Sequence, residues 1–212
     1  MKPFILIIIL LFNIITACSI HKHRVSKLEN KVRQLAAFNK DILQFAGVEL
    51  FQFNFNNIPL DKTLLVYVKE YFNQNNIHID TIFNAETTFY DFTSDTTWQK
   101  TPIETIGIYT QREFETAENL YLQVRISGVI GAKRKIKIRP EFNELHSWRP
   151  IESTSIELNK ETPLLLYGAS WDDILNGIKV KRFCTAGTLQ TDLSDPEILK
   201  IPHYYLICVK IQ

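Results

Sequence analysis

The chain has 212 residues, of which 45% are hydrophobic and 12% aromatic, and its formal net charge at pH 7 is +1. This apolar content is enough for a hydrophobic core and excludes an intrinsically disordered chain. The balanced charge gives no indication that nucleic acid is a partner. The length suits one domain, or one domain with an appendage.

Residues 1–17 have the pattern of a secretory signal peptide. Lys2 is followed by an apolar run over residues 4–17 and by small residues before Cys18. A membrane-spanning helix needs about twenty apolar residues, so this shorter run favours a cleaved signal peptide. An uncleaved signal anchor is the alternative.

The four residues Ile15-Thr16-Ala17-Cys18 resemble the lipobox of bacterial lipoproteins. The resemblance implies that Cys18 carries a diacylglycerol, usually with a third acyl chain on its amine, and becomes the first residue of the mature protein. Two or more acyl chains anchor a protein stably in a membrane. Cys18 begins a basic tether over residues 18–25, in which Ser19 comes next, and this pattern implies a bacterial envelope protein at the outer membrane, facing the periplasm.

Removal of the signal peptide changes both the charge and the cysteine count. Because Lys2 is the only charged residue of 1–17, 23 basic and 23 acidic residues remain, and no nucleic acid partner is predicted. Cys184 and Cys208 also remain, in predicted strands over 177–185 and 203–211. They form a candidate disulfide if those strands are neighbours in register. The alternative is two buried free thiols.

Residues 26–47 are predicted to form an amphipathic helix. Ser26 and Glu29 match a capping box, the helix runs over residues 27–46, and Gly47 ends it. Packing of this helix on the globular domain is the favoured interpretation. The alternative is a short coiled-coil stalk that binds a protein partner or a second copy, because the apolar positions have heptad-like spacing: Leu28, Val32, Leu35, Ile42 and Phe45.

Residues 48–212 are predicted to form a single β-rich α+β domain that begins with a strand-helix-strand unit. Residues 48–54 alternate like a strand, and residues 77–83 return to strand. Between them, residues 57–76 are predicted to be helical because their apolar residues recur at helical spacing: Leu60, Leu64, Leu65, Val68, Tyr71 and Phe72.

From Thr87 onward the sequence predicts mostly antiparallel β structure, as a sandwich or a partial barrel. Residues 170–173 are instead expected to cap one helical turn that ends at Gly177. Turn residues separate the predicted strands, which cover residues 87–92, 104–111, 121–127, 133–139, 153–157, 164–167, 179–184 and 204–211.

Residues 132–139 carry the densest local charge. In a strand, alternate residues share a face, which would place four cations in one row: Lys133, Lys135, Lys137 and Arg139. Such a row can meet an anionic partner or lipid phosphates. The alternative is a solvated strand face, or a sheet edge that lysines protect against aggregation.

The sequence predicts no catalytic residue, metal site or cofactor. It has no GxSxG, no Gly-rich phosphate loop and no HExxH. Its five histidines show no metal-binding spacing: His21, His23, His78, His146 and His203.

Two parts of the chain resemble secretin-type outer-membrane assembly proteins. Residues 53–68 with 76–79 are similar to their periplasmic strand-helix-strand module, with an alternating strand before a Pro-Leu helix start. Residues 136–144, 152–157 and 162–168 are similar to the secretin β-region in rhythm. The chain is shorter than a secretin pore, and Tyr167-Gly168-Ala169 stands where that family has paired glycines.

These observations favour a lipid-anchored envelope protein with a non-catalytic binding or scaffolding role. A subunit of an envelope secretion or assembly complex, implied by the secretin resemblance, is one alternative. An envelope enzyme is another.

Overall fold

The computed structural model describes residues 47–55, 58–92, 97–112, 118–126, 129–142, 145–152, 155–183 and 187–212. Apart from Gly47, they belong to a compact unit that spans Val48–Gln212. The predicted signal peptide, the lipidation site Cys18 and the predicted helix over 27–46 lie outside the described residues. Within the described part, no helix is long and apolar enough to cross a membrane.

The described residues form antiparallel strands with two short 3-10 helices, Pro140–Phe142 and Ile198–Lys200. This confirms the prediction of a mostly antiparallel β protein. In chain order the strands are β1 (Val48–Asn54), β2 (Thr63–Phe72), β3 (Asn75–Glu86), β4 (Thr88–Phe92), β5 (Trp98–Pro102), β6 (Thr105–Arg112), β7 (Asn119–Ile126), β8 (Val129–Lys137), β9 (His146–Pro150), β10 (Glu161–Ala169), β11 (Trp171–Leu175), β12 (Ile178–Arg182) and β13 (His203–Ile211).

The strands form two main sheets that share one hydrophobic core. Sheet 1 has the order β1-β6-β7-β8, and sheet 2 has the order β3-β2-β13-β10-β9. Apolar side chains from both sheets belong to one buried cluster, including Ile108 and Leu122 of sheet 1 and Val66 and Ile207 of sheet 2. Arg134 of β8 joins the sheet edges by donating to the Thr81 carbonyl oxygen of β3 at 3.1 Å.

Sheet 2 is covered on its other face as well. Leu166 of β10 and Leu206 and Cys208 of β13 form a second buried cluster with Leu189 and Ile201 from the segment before β13. Its central strands are therefore buried on both faces, whereas sheet 1 keeps an outward face. Two hairpins, β4–β5 and β11–β12, complete the fold.

The predicted helix over 57–76 is wrong, because this segment contains strand β2. β2 pairs with both β13 and β3, so it is an interior strand. An interior strand that is buried on both faces carries apolar residues without strict alternation, and the resulting pattern can imitate a helical stripe. The predicted strand-helix-strand unit is therefore not formed.

The predicted helical turn before Gly177 is also wrong, because β11 and β12 form a hairpin there. Asn176 and Gly177 connect the strands with φ of 51° and 79°. Positive φ at both central residues is the requirement of the tight hairpin turn that Asn-Gly favours. Of the predicted strand over 153–157, the described residues 155–157 are not in a strand, whereas β5 and β9 were not predicted.

Candidate functional site

The outward face of sheet 1 carries the lysines that the sequence singled out. Lys133, Lys135 and Lys137 lie on β8 and are exposed. Residues of β7 alternate in the same way: Leu120, Leu122 and Val124 enter the core, and the residues between them point outward.

A β-bulge in β8 sets which of its side chains point outward. Pairing with β7 shifts between Gln123 and Arg125. Gly131 lies at this shift, where an added Cβ would overlap the carbonyl oxygen of Val124. A residue without a side chain is therefore required there, and beyond it Lys133 pairs with Gln123.

Strand order places tyrosines and glutamines beside these lysines in two rows across the sheet. The first row is Gln111, Tyr121 and Lys135, and the second is Tyr109, Gln123 and Lys133. Tyrosine and glutamine thus alternate in both directions, and the two tyrosines are diagonal neighbours, a relation in which residues are about 7–8 Å apart. We call these six residues the basic aromatic face.

Each tyrosine ring of this face has a cation close to it. The Lys135 ammonium lies 5.7 Å from the Tyr121 ring centroid. The Arg125 guanidinium lies 5.1 Å from the Tyr109 ring centroid. These cation–π distances hold the charges next to the rings, at about 0.5–1 kcal/mol each for exposed sites.

The electrostatic character of the outward face is uniformly positive. The outward positions of β1, β6, β7 and β8 hold four cations and no carboxylate. Lys133, Lys135 and Lys137 form no ion pair with any described residue. An open cavity of about 570 Å³ lies over the basic aromatic face, with Val48 and Arg134 at its border.

Arg139, the fourth predicted cation, lies elsewhere. β8 ends at Lys137, and the Arg139 Nε donates to the Glu70 Oε1 of β2 at 2.8 Å. Its guanidinium lies 5.7 Å from the Phe72 ring centroid. The structure therefore brings three of the four predicted cations to one face, and the fourth belongs to a contact with sheet 2.

Glu70 connects Arg139 to a buried histidine cluster that the sequence did not reveal. The Glu70 Oε1 also lies 2.9 Å from the His203 Nε2. Burial alone would raise the pKa of Glu70, but the hydrogen bonds from His203 and Arg139 lower it below its usual value. The sequence signal for this cluster was limited to His203, which begins the apolar run of the predicted strand over 203–211.

The second histidine of this cluster is His146 of β9. Its ring stacks on Tyr167 at 4.9 Å and meets the His203 ring edge-on at 6.1 Å. Neither ring nitrogen of His146 has a hydrogen-bond partner among the described residues. Burial, with repulsion from His203 and Arg112, lowers its pKa to about 3, so His146 is neutral at pH 7.

Burial limits access to the His203 imidazole. His203 has no exposed surface, and the Phe142 ring stacks on it at 5.1 Å. A general base must reach the proton that it removes. Across the described segments, no three His, Cys, Asp or Glu side chains are arranged to hold a metal ion.

Cys208 lies in the centre of sheet 2. Its side chain is fully buried, and burial raises the pKa of its thiol. β13 pairs with β2 and β10, whereas β12 pairs with β11. The two strands proposed to carry the disulfide are therefore not neighbours. Cys184 lies outside the described residues, and its pairing with Cys208 stays a prediction.

Comparison with known proteins identifies a protein family for this chain. The family model for a domain of unknown function, DUF5041, matches residues 18–212. No curated protein and no solved structure matches the chain.

Proposed function

The chain belongs to the DUF5041 family, a domain of unknown function, and from its geometry we propose that it is a lipid-anchored envelope protein that binds an anionic partner without catalysis. The binding surface is the basic aromatic face of sheet 1. The anchor is the lipidated Cys18 at the start of the mature chain.

One observation carries the binding proposal: three exposed lysines lie beside two tyrosines, and the described outward strand positions of this face carry no carboxylate. An anion about 4 Å from one exposed ammonium gains about 1 kcal/mol in water. Three lysines spaced along one strand let a polymer with several anionic groups make these contacts together. A merely solvated strand face would more often mix charges of both signs.

The anchor proposal is supported by the order of residues at the N-terminus. A single lysine, a short apolar run and the lipobox-like Ile15-Thr16-Ala17-Cys18 occur in the spacing of a lipoprotein signal. With the lipid at Cys18, the basic aromatic face belongs to a domain held near a membrane, and its anionic partner is an envelope or extracellular polymer.

The anchor is tested by metabolic labelling with a clickable palmitate analogue in a bacterial host that acylates lipoproteins. The chain is expected to incorporate label and to partition into detergent. The Cys18→Ser variant is the control and is expected to do neither. An unlabelled chain that still carries residues 1–17 would refute the anchor.

Binding is tested with the full mature chain in detergent and with long-chain polyphosphate as a simple polyanion. Replacing Lys133, Lys135 and Lys137 together by Gln is expected to weaken binding about tenfold to hundredfold at moderate salt. The matched control replaces three exposed lysines outside sheet 1 by Gln, with the same change of net charge: Lys62, Lys160 and Lys200. Equal losses in the two triple variants would refute the proposed face.

A further inference from the structure

The basic aromatic face has the chemistry to recognise an acidic polysaccharide, and we propose that this is the class of its ligand. This inference rests on the proposed function and narrows it. A simple polyanion needs only cations. The two rows provide rings, amides and cations at neighbouring positions, which together match the three kinds of group on an acidic sugar.

The tyrosine rings match the apolar face of a sugar. One side of a pyranose ring presents C–H groups, whose slight positive charge is attracted to the electron-rich face of an aromatic ring. Tyr121 keeps 41% of its surface exposed on the outward face. Its hydroxyl group adds a polar end that can contact a sugar hydroxyl.

The cations match the acid groups. The 5.7 Å between the Lys135 ammonium and the Tyr121 ring centroid allows one sugar unit to contact both. The unit's C–H face lies on the ring while its carboxylate or sulfate reaches the ammonium. Arg125, next to this face on β7, forms a similar cation–ring pair with Tyr109, with 5.1 Å between its guanidinium and the ring centroid.

The glutamine position matches the hydroxyl groups. Gln123 lies between Tyr109 and Lys133 in its row. A side-chain amide offers two donors and one acceptor carbonyl, so it can serve a hydroxyl in either role. The cavity of about 570 Å³ over this face is within the range of about 300–1,000 Å³ typical of sites for small ligands and short oligomers.

Single-stranded nucleic acid also binds to aromatic and basic surfaces, but this chain fits it less well. Nucleic-acid-binding domains usually show a strongly basic balance, whereas this chain has a net charge of +1, and only Lys2 separates it from neutrality.

The test measures binding of the full mature chain in detergent by isothermal titration calorimetry, at fixed salt, with several probes matched by charge or length. Polygalacturonate is the acidic polysaccharide, dextran the neutral one, polyglutamate and polyphosphate the polyanions without sugar, and an oligodeoxythymidine the nucleic acid. Polygalacturonate is expected to bind at least about tenfold more tightly than polyglutamate, and dextran is expected to show no binding.

Variants of Tyr121 separate ring stacking from charge. Tyr121→Ala is expected to weaken polygalacturonate binding about threefold to tenfold more than it weakens polyphosphate binding. Tyr121→Phe is expected to retain most of the affinity for polygalacturonate. Tyr90→Ala removes a tyrosine with 64% exposure outside sheet 1 and is the matched control. Thermal melting of each variant verifies folding.

The outcomes distinguish this inference from the proposed function. If polyglutamate and polyphosphate bind as tightly as polygalacturonate, the inference is refuted and the anionic binding face stands. If the oligodeoxythymidine binds most tightly, the ligand class is nucleic acid and the inference is refuted. If no polyanion binds, both are refuted.

Discussion

The buried His146 makes the stability of this protein depend on pH, and the size of the effect follows from its pKa. The ordinary value for histidine is 6.5, and burial lowers that of His146 to about 3. When pH falls below 6.5, the unfolded chain binds a proton at this residue and the folded chain does not. Stability is therefore complete above pH 6.5 and is lost as pH falls from 6.5 toward 3.

The expected loss is about 1.4 kcal/mol for each pH unit below 6.5, which amounts to about 2 kcal/mol at pH 5. His203 adds to the loss in the same direction, because burial also lowers its pKa although Glu70 opposes this. The pKa values of Glu70 and Glu161 are lowered below 4.5, so measurements at pH 5 and above avoid most of their titration.

The variant His146→Phe isolates the histidine. Phenylalanine retains an aromatic ring against Tyr167 and removes two buried nitrogens that have no partner among the described residues. The variant is expected to be as stable as the native chain at pH 7.5, or up to about 1 kcal/mol more stable. Its stability is expected to fall about 2 kcal/mol less than that of the native chain between pH 7.5 and 5.

The assay is urea unfolding of the full chain at pH 7.5, 6 and 5, followed by tryptophan fluorescence and circular dichroism. Because His203 is present in both proteins, the difference between their curves reports His146 and its repulsion of His203. Parallel curves, or a His146 pKa near 6.5 by NMR, would refute the reasoning.

Three further predictions concern single residues. Gly131→Ala is expected to lower the free energy of unfolding by more than about 2 kcal/mol in urea titration, because the added Cβ would overlap the Val124 carbonyl oxygen. The control is Gly187→Ala, whose added Cβ would have no atom within 4 Å. Glu70→Leu is expected to cost about 1–3 kcal/mol at pH 7 by leaving His203 and Arg139 without their hydrogen bonds, and an unchanged melting temperature would contradict this. The Cys208 thiol is expected to resist alkylation until the chain unfolds, because burial raises its pKa and excludes the alkylating reagent. Peptide mass spectrometry measures the modification, and rapid labelling of the native protein would contradict this prediction.

The strands that the sequence predicted best have one face in the core and one face toward solvent. β1, β6 and β7 alternate between buried and outward residues, and the sequence over 48–54, 104–111 and 121–127 shows this period. β2 pairs with a strand on each side and packs against side chains on both faces. Its sequence therefore lacks the two-residue alternation of apolar and polar residues, and its apolar spacing predicts a helix instead. Burial of both faces of β2 depends on elements that are distant in the chain, so its own sequence does not reveal it.

The binding face divides in the same way. Alternation along one strand determined that Lys133, Lys135 and Lys137 share a side. Strand order alone decided that Tyr109 and Tyr121 stand beside them. Because β8 ends at Lys137, Arg139 does not share the face of the three lysines. Its guanidinium donates a hydrogen bond to Glu70, which lies 69 residues away in the chain.

The sequence by itself determined the features that depend on residues close together in the chain. These are the order of residues at the N-terminus, the shared side of the three lysines and the mostly antiparallel β class. Only the tertiary structure decided which strands became neighbours, and with them the partners of the lysines and the meeting of His146, His203 and Glu70. The physical reason is that side-chain direction along a strand follows from the backbone, whereas contacts between strands follow from how the whole chain buries its apolar surface.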